Sequence, residues 1–312
     1  AWIAAPNTDI TDIKAAPVGE LDVELRSWND GDNPYELALD GAGAALNNVA
    51  LGQSLTADHV LRFQDLMPQA NYQLATYALA ELFTRKDEAE IAELRKAGQA
   101  IDAVHAQVPK LLQPGRTEAE VAQELEELIL QEHTVIDFVI VGSGPNGANP
   151  HHSFSDRVLA EGEPVVVDIG GTLPSGYHSD CTRTYVVGGD VSKAPQDFQD
   201  AYAVLADAQA AARAAAHPGS TAAEIDAITR KAIAAAGWGD NFVHRTGHGI
   251  GLSTHEEPFI MEGNDLTLEE GMAFSIEPGI YVEGKWGMRL EDIVVLTNNG
   301  YESLNLAPRE VR

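Results

Sequence analysis

The sequence is poor in cysteine, in basic side chains and in long apolar runs, and each shortage excludes a class of protein. Its one cysteine, Cys181, rules out an internal disulfide and favours a reducing compartment. Asp and Glu number 48 against 20 Lys and Arg, and the resulting net charge of −28 repels nucleic acid and anionic membrane surfaces. No apolar run reaches the roughly 18 residues of a membrane span. We therefore expect neither a nucleic-acid nor a membrane partner.

The N-terminal part of the chain differs in composition from the rest. Residues 1–12 lack the basic region and apolar core of a secretory signal, which, together with the single cysteine, predicts a cytoplasmic protein. Residues 1–84 alternate short strand-like pieces with turn clusters, and carry no cluster of metal ligands or nucleophiles. They predict a small α/β domain, with strands at Leu21–Arg26 and Val49–Leu51 and helices near 56–66 and 70–83.

Residues 85–312 contain a repeated pattern that predicts two related halves of one α+β domain. Each half begins with a long amphipathic helix, over Lys86–Val108 and Pro195–Ala216. A capping box then starts a second helix, at Thr117 in the first half and at Thr221, 104 residues later, in the second.

Each half also carries two acids near apolar strand-like runs. Asp168 ends one run and Glu277 ends the other, and Asp180 and Glu291 follow after 12 and 14 residues. Both separations are even, so in a two-stranded ribbon the acids of each half face the same side. A pseudo-two-fold axis would gather all four, and such acids repel each other unless they bind a cation.

One histidine fits this cluster. His248 lies in the glycine-rich segment Thr246–Gly251, where the backbone can pass close to another group. Four carboxylates and an imidazole exceed the needs of one tetrahedral zinc, and they suit two divalent cations that share ligands. The donor set favours Mn²⁺, with Co²⁺ or Zn²⁺ as alternatives.

Four segments carry a resemblance to a known family. They are VVVDIG…SDCTRT, HRTGHGIGLSTHEEP, SIEPGIY and MRLED, and they occur in the family's order. Together they resemble the pita-bread metallopeptidases, in the branch of Xaa-Pro dipeptidases (prolidases) and aminopeptidase P. The resemblance implies a pita-bread catalytic domain over residues 85–312 with pseudo-two-fold αβ repeats. It also implies a homodimer.

The resemblance further implies a function for individual residues. The metal ligands would be Asp168, Asp180, His248, Glu277 and Glu291, with Asp180 and Glu291 shared between the two ions. Among the catalytic residues, Glu277 would transfer the proton, His255 would stabilise the developing charge, and His151, or the adjacent His152, would contact the substrate. The supporting residues would be His244 beside the proline ring and Tyr281 and Arg289 beside the shared ligands.

The implied activity is hydrolysis of the Xaa-Pro bond in a proline-containing peptide. Dipeptides are the leading substrate, and longer peptides with proline second, the substrates of aminopeptidase P, are the alternative. A non-catalytic member of the fold that binds peptides or proteins is a third hypothesis, although such members lose ligands and none is lost here.

A second motif imitates a nucleotide site. The segment Gly142–Gly147 fits G-x-G-x-x-G, and Asp168 follows at a suitable distance. That fingerprint must open a helix, which Pro145 and Pro150 oppose. We therefore predict a glycine-rich loop on the substrate side that leads to His151.

Overall fold

A computed structural model describes residues 1–40 and 46–312, and these residues divide into two compact units. The units are Ala1–Ala80 and Glu81–Arg312. The domain boundary predicted from the sequence, between residues 84 and 85, lies a few residues further along the chain. Within the two described ranges, no helix combines the length and the apolar character needed to cross a bilayer.

The smaller unit contains two separate pairs of parallel strands. Its elements are β1 (Trp2–Pro6), α1 (Ile10–Ala15), β2 (Glu24–Trp28), α2 (Pro34–Leu39), β3 (Asn48–Leu51), α3 (Ala57–Leu66), β4 (Asn71–Leu74) and α4 (Ala75–Ala78). Strand β1 pairs with β2, and β3 pairs with β4. The helix predicted over residues 70–83 is wrong in its first part, because Asn71–Leu74 pairs with β3 and takes the extended conformation of a strand.

The larger unit alternates long helices with strands. After α5 (Ala80–Thr84), which crosses the unit boundary, its helices are α6 (Glu88–His105), α7 (Val108–Leu111), α8 (Glu118–Ile129), α9 (Gln196–Ala215) and α10 (Ala222–Ala235). Its strands are β5 (Val135–Ser143), β6 (Pro164–Thr172), β7 (Cys181–Val186), β8 (Gly247–Gly249), β9 (Glu256–Ile260), β10 (Ala273–Ile276), β11 (Gly279–Val282), β12 (Trp286–Arg289), β13 (Asp292–Thr297) and β14 (Gly300–Ser303).

The strands of the larger unit form one sheet in each half of the repeat. The first sheet has the order β5-β6-β7 and the second has the order β14-β13-β10-β8-β9, with antiparallel pairing between neighbours. Strands β11 and β12 pair separately as a hairpin. The G-x-G-x-x-G segment leads from β5 into a short 3₁₀ helix over Gly144–Ala148, and β5 is antiparallel to β6, so the segment does not form a dinucleotide-binding βαβ unit.

The helices bury their apolar faces against these sheets. In the first half, α6 and α8 pack with β5, β6 and β7 around Ile101, Leu125 and Val167, all of which are fully buried. In the second half, α9 buries its own Phe198 and Leu205, and Phe274 of β10 belongs to a neighbouring cluster with α10. The predicted three-to-four spacing of apolar residues therefore corresponds to real buried faces.

Both predicted capping boxes are present. The Thr117 and Thr221 hydroxyls accept hydrogen bonds from the backbone N–H groups of Glu120 and Glu224, at 3.1 and 3.2 Å. The two glutamate side chains accept in return from the backbone N–H groups of the two threonines. Each box satisfies two N–H groups that a helix start would otherwise leave without partners.

Thr221→Ala should therefore lower the free energy of unfolding of the larger unit by about 1 kcal/mol, and Thr117→Ala by a similar amount. Thr221→Ser is the matched control, because it keeps the hydroxyl that accepts the hydrogen bond from Glu224. Denaturant unfolding followed by circular dichroism measures both. An equal loss in the serine variant would contradict the capping explanation.

Candidate metal centre

The side chains predicted to carry the chemistry line one large cleft in the larger unit. The cleft has a volume of about 1200 Å³. Its lining includes all five predicted ligands and several predicted supporting residues, namely Asp168, Asp180, His248, Glu277, Glu291, His151, His244, His255 and Arg289. The sequence repeat thus brings together groups that lie more than 100 residues apart in the chain.

The first pair of acids is placed by the register between β6 and β7. Asp168 lies opposite Thr182. Asp180 precedes Thr182 by two residues, so its side chain points to the same face of the sheet as that of Asp168. Both carboxylates are buried, with 8% of Asp168 and 4% of Asp180 exposed. Burial of two carboxylates on one face is costly without a compensating charge.

The second pair of acids lies at the paired ends of β10 and β13. Ile276 lies opposite Asp292, which places Glu277 and Glu291 one step beyond this pair. The chain between the two acids folds back as the antiparallel hairpin β11–β12, so Glu277 and Glu291 lie at the open end of a two-stranded ribbon, as the sequence predicts. Pro278, directly after Glu277, cannot donate to a continued ladder with β13.

His248 is brought to the acids by a close approach of two backbones. A Cβ added at Gly247 would lie 1.9 Å from the carbonyl oxygen of Ser275, so only glycine allows β8 this close to β10. The backbone N–H of His248 donates to Ser275 Oγ at 2.9 Å, and its Nδ1 lies 3.0 Å from the carbonyl oxygen of Gly249. Since a carbonyl only accepts, Nδ1 carries a proton, and Nε2 is the nitrogen that faces the acids and can serve as a ligand.

Nε2 of His248 points into the acid cluster. It lies 3.1 Å from Glu277 Oε1 and 3.6 Å from Asp180 Oδ2. One side-chain atom from each of Asp180, His248 and Glu291 lies within 4.8 Å of the other two. This spacing brings three donor atoms from three separate strands or strand ends within reach of one cation.

The pKa values of two of the clustered acids show strong mutual repulsion, which a bound cation would relieve. Burial, followed by the charges of Glu291 and Asp168, raises the pKa of Asp180 well above its usual value. Burial, followed by the charges of Glu277 and Asp168, does the same to the pKa of Glu291. Burial alone would raise the pKa of Glu277 as well, but the hydrogen bond and charge of His248 outweigh it and lower that pKa to about 2.

Two carboxylate oxygens give a test of whether this chain fits metal ions. Asp168 Oδ1 and Glu291 Oε1 are buried and have no hydrogen-bond partner within the described part of the chain. Buried polar atoms are normally satisfied, so these two require an explanation. Divalent cations supply it, because four carboxylates and a neutral imidazole are the donors that Mn²⁺, Co²⁺ or Zn²⁺ bind. The residues present therefore fit the metal group that the sequence predicts.

Arg289 and Tyr281 hold part of the cluster in place. Arg289 donates from Nη2 to Asp168, from Nε to Thr182 Oγ1 at 3.1 Å, and from Nη1 to the Tyr281 hydroxyl at 2.7 Å. Arg289 was predicted to support the shared ligands Asp180 and Glu291 by hydrogen bonds, and its observed hydrogen bonds differ from this prediction. The direct bond goes to Asp168, and Glu291 is reached only through the Thr182 hydroxyl, which donates to its Oε2 at 2.7 Å.

The chain of hydrogen bonds continues from Tyr281 to His244. His244 Nδ1 lies 2.7 Å from the Arg245 carbonyl oxygen, so it carries the proton, and Nε2 accepts from the Tyr281 hydroxyl at 2.9 Å. Burial lowers the pKa of His244 and raises that of Tyr281 to about 12. Both polar atoms of a neutral His244 are therefore used within the protein, which leaves its ring to make apolar contacts in the cleft.

The predicted catalytic histidines lie at the rim of the cleft. His255 is exposed, and its ring centroid lies 4.2 Å from that of His248. Although the residue is exposed, desolvation of its imidazole and the neighbouring His248 lower the pKa of His255 to about 4. His151 lines the cleft, whereas His152 forms a 2.8 Å hydrogen bond with the buried carboxylate of Glu118. Of the two adjacent histidines, His151 is the one available to a substrate.

Two residues of the cluster were missed by the sequence analysis. Thr182 links Arg289 to Glu291, and Ser275 donates to Glu277 at 3.0 Å while accepting from the His248 backbone. Each lies two residues from an acid along an extended segment, and so shares its face. The same period of two that predicted the acids could have identified both.

Comparison with known proteins agrees with this geometry. The sequence matches the description "Metallopeptidase family M24" over residues 92–298. The chain belongs to this family. It is 50% identical over 310 residues to "Probable dipeptidase PepE" of Mycobacterium tuberculosis, which covers 99% of this chain and 81% of that protein.

Two solved structures of similar proteins show the same architecture. Dipeptidase PepE from Mycobacterium ulcerans superposes with a TM-score of 0.93 at 50% identity, covering 99% of this chain and 82% of the other. A recombinant prolidase from Thermococcus sibiricus superposes with a TM-score of 0.89 at 34% identity, covering 99% and 83%. The M24 metallopeptidase assignment and the pita-bread fold predicted from the sequence are confirmed.

In this M24 metallopeptidase, Asp180→Asn should stabilise the chelated protein or leave it unchanged, because it removes one of several mutually repelling buried charges. Mn²⁺ at about 100 times its Kd should stabilise the unsubstituted protein by about 2.7 kcal/mol per site. The variant should lose most of this gain. Melting temperatures measured in EDTA and across a Mn²⁺ titration test both statements.

Glu118→Gln is the matched control for this experiment. Glu118 is also fully buried, but its carboxylate accepts hydrogen bonds from Ser143, Asn146, His152 and Ser155. The variant should melt earlier with and without Mn²⁺ and keep the metal-dependent rise. If Asp180→Asn behaved in the same way as Glu118→Gln, Asp180 would not be a ligand.

Proposed function

We propose that this chain is a dinuclear-metal peptidase that cleaves the Xaa-Pro bond of dipeptides. The observation that carries the proposal is the pair of buried, unpartnered oxygens, Asp168 Oδ1 and Glu291 Oε1, in a cleft that also holds His248 Nε2. The dipeptide preference is supported by the names of the relatives, a dipeptidase and a prolidase. Mn²⁺ as the native metal, a homodimer and a cytoplasmic location are further proposals from the sequence.

The proposed ligands are Asp168, Asp180, His248, Glu277 and Glu291. Two divalent ions held there would supply a water of lowered pKa and would polarise the scissile carbonyl. The remaining chemistry belongs to side chains of this chain. Glu277 accepts the proton of the attacking water through its carboxylate and passes it to the leaving proline nitrogen.

The histidines at the rim have different proposed functions. His255 donates a hydrogen bond to the oxygen on which negative charge develops, and His151 contacts the substrate. The His244 ring, whose nitrogens are engaged by Arg245 and Tyr281, packs against the proline ring. A pocket that recognises ring shape suits this substrate, because the Xaa-Pro amide has no N–H to offer.

One observation favours the alternative, an aminopeptidase P acting on longer peptides. The cleft volume of about 1200 Å³ exceeds the roughly 300–1000 Å³ of typical small-ligand pockets, and a dipeptide fills only part of it. Residues beyond proline could therefore be accommodated.

The deciding measurement is hydrolysis by the Mn²⁺-loaded protein of three peptides: Ala-Pro, Ala-Pro extended by one residue, and Ala-Ala. We expect cleavage of Ala-Pro with a kcat/KM at least tenfold above that of the other two. Comparable cleavage of the extended peptide would establish the aminopeptidase alternative. Absence of cleavage of any peptide would leave a non-catalytic binder of the fold.

A pair of substitutions tests the assignment of residues within the proposed site. Glu277→Ala should abolish turnover, because it removes both a ligand and the proton acceptor. Cys181→Ala should keep most of the activity, because the thiol is fully buried, burial raises its pKa, and the adjacent Asp180 accounts for the chemistry. Initial rates with Ala-Pro measure both, and loss of activity in the cysteine variant would show that the thiol itself matters.

A further inference from the structure

The long helices α6 and α9 repeat one pattern of buried side chains. Residues 104 apart, the same separation as that of the two capping boxes, occupy matching buried positions. The pairs are Leu94 and Phe198, Ala97 and Ala201, Gly98 and Tyr202, Ile101 and Leu205, Val104 and Ala208, and His105 and Gln209. The repeat thus extends from the acids to the faces of the helices that pack against the strands.

The last of these pairs breaks the otherwise largely apolar character of both faces. His105 is 1% exposed and Gln209 is fully buried. Polar groups this deep must be hydrogen-bonded, so their partners reveal what they hold. Each side chain bonds to the residue that directly follows the second acid of its own half, which is Cys181 after Asp180 and Asp292 after Glu291.

The His105 imidazole joins α6 to the start of β7. Its Nε2 lies 2.9 Å from the Cys181 carbonyl oxygen and its Nδ1 lies 3.0 Å from the Tyr185 hydroxyl. Because the carbonyl only accepts, Nε2 carries the proton and Nδ1 accepts from Tyr185. Burial and the charge of Arg183 lower the pKa of His105 to about 3, which keeps the ring in this neutral form.

The Gln209 amide makes the corresponding connection in the second half. Its Nε2 donates to Asp292 Oδ2 at 2.7 Å and, with a longer distance of 3.4 Å, to the carbonyl oxygen of Ile276, the residue before Glu277. Asp292 also accepts from Arg183 at 2.8 Å, and Arg183 donates in addition to the carbonyl oxygens of Thr182 and Glu291. Gln209 is therefore connected, through Asp292, to the backbone beside both second acids.

We propose that His105 and Gln209 are equivalent positioning residues, which hold Asp180 and Glu291 at the separation that the two metal ions require. The physical need is clear from the cluster itself. Repulsion drives the buried carboxylates apart, and a donor fixed to the adjacent residue opposes that displacement without consuming a ligand oxygen. The inference rests on the proposed metal function of Asp180 and Glu291.

Because Gln209 occupies the position in the second half that is equivalent to His105, glutamine is the conservative substitution for His105. His105→Gln keeps an N–H donor at the end of a side chain of similar reach, as Gln209 does. His105→Leu removes the donor. His105→Asn serves if the leucine variant does not fold, since its shorter amide does not reach the Cys181 carbonyl. Gln209→Met is the corresponding change in α9, and Ile101→Val and Leu205→Ala are controls that weaken the same helix faces without touching polar groups.

The experiment is calorimetric titration of the chelated full chain with Mn²⁺ alone, combined with electron paramagnetic resonance of the loaded protein. His105→Leu and Gln209→Met should weaken Mn²⁺ binding at least tenfold, in line with the effect of removing groups that orient ligands. They should also reduce the signal of spin-coupled Mn²⁺ pairs, which depends on the separation of the ions. His105→Gln should stay within about threefold of the unsubstituted protein and keep that signal.

Binding and spin coupling unchanged in His105→Leu, His105→Asn and Gln209→Met would overturn the inference. So would an equal loss in the controls Ile101→Val and Leu205→Ala, because the effect would then follow from stability alone. In both cases the unsubstituted protein still binds Mn²⁺ and cleaves Ala-Pro, and the proposed function stands. An unsubstituted protein that binds no Mn²⁺ pair refutes both proposals together.

Discussion

The mutual repulsion of four clustered carboxylates is the constraint on which the larger unit depends. Asp168, Asp180 and Glu291 are almost fully buried, and the rest of the unit is arranged so that this unfavourable cluster persists. One cation of the protein itself, Arg289, contacts Asp168 directly and is held by Tyr281. A single guanidinium cannot compensate four acids, so the cluster retains an affinity for divalent cations, which is the basis of its chemistry.

Much of the larger unit could be predicted because its decisive signals are local. The capping boxes at Thr117 and Thr221 fix helix starts through hydrogen bonds within four residues, and the period of two fixes which residues share a strand face. The repeat then predicted that the acid-bearing segments of the two halves lie close together, although the course of the chain between them was unknown. The ribbon expected between Glu277 and Glu291 is present as the hairpin β11–β12, but the pattern did not show that the flanking strands β10 and β13 pair with each other in the larger sheet.

What the sequence could not supply is the choice among competing partners in space. The sequence alone does not show which of the neighbours His151 and His152 faces a substrate. In the structure the buried Glu118, more than 30 residues earlier, binds His152 and leaves His151 available. Likewise the resemblance implied that Arg289 supports the shared ligands, whereas the folded chain places Thr182 between Arg289 and Glu291. Such outcomes depend on distances of about an ångström between elements that are remote in sequence.

The two halves of the repeat depart from two-fold symmetry at the position of His248. Gly142 pairs with Val166, two residues before Asp168; in the second half, the residue paired with Ser275, two before Glu277, is His248. Gly142 thus occupies the position equivalent to His248, and a Cβ there would lie 3.0 Å from Gly147 of the glycine-rich loop. Glycine at this position lets the loop pack this closely. Since only one half supplies an imidazole to the proposed ligands, two ions bound there would not have identical donors, and the neutral imidazole would make its site the less negative of the two.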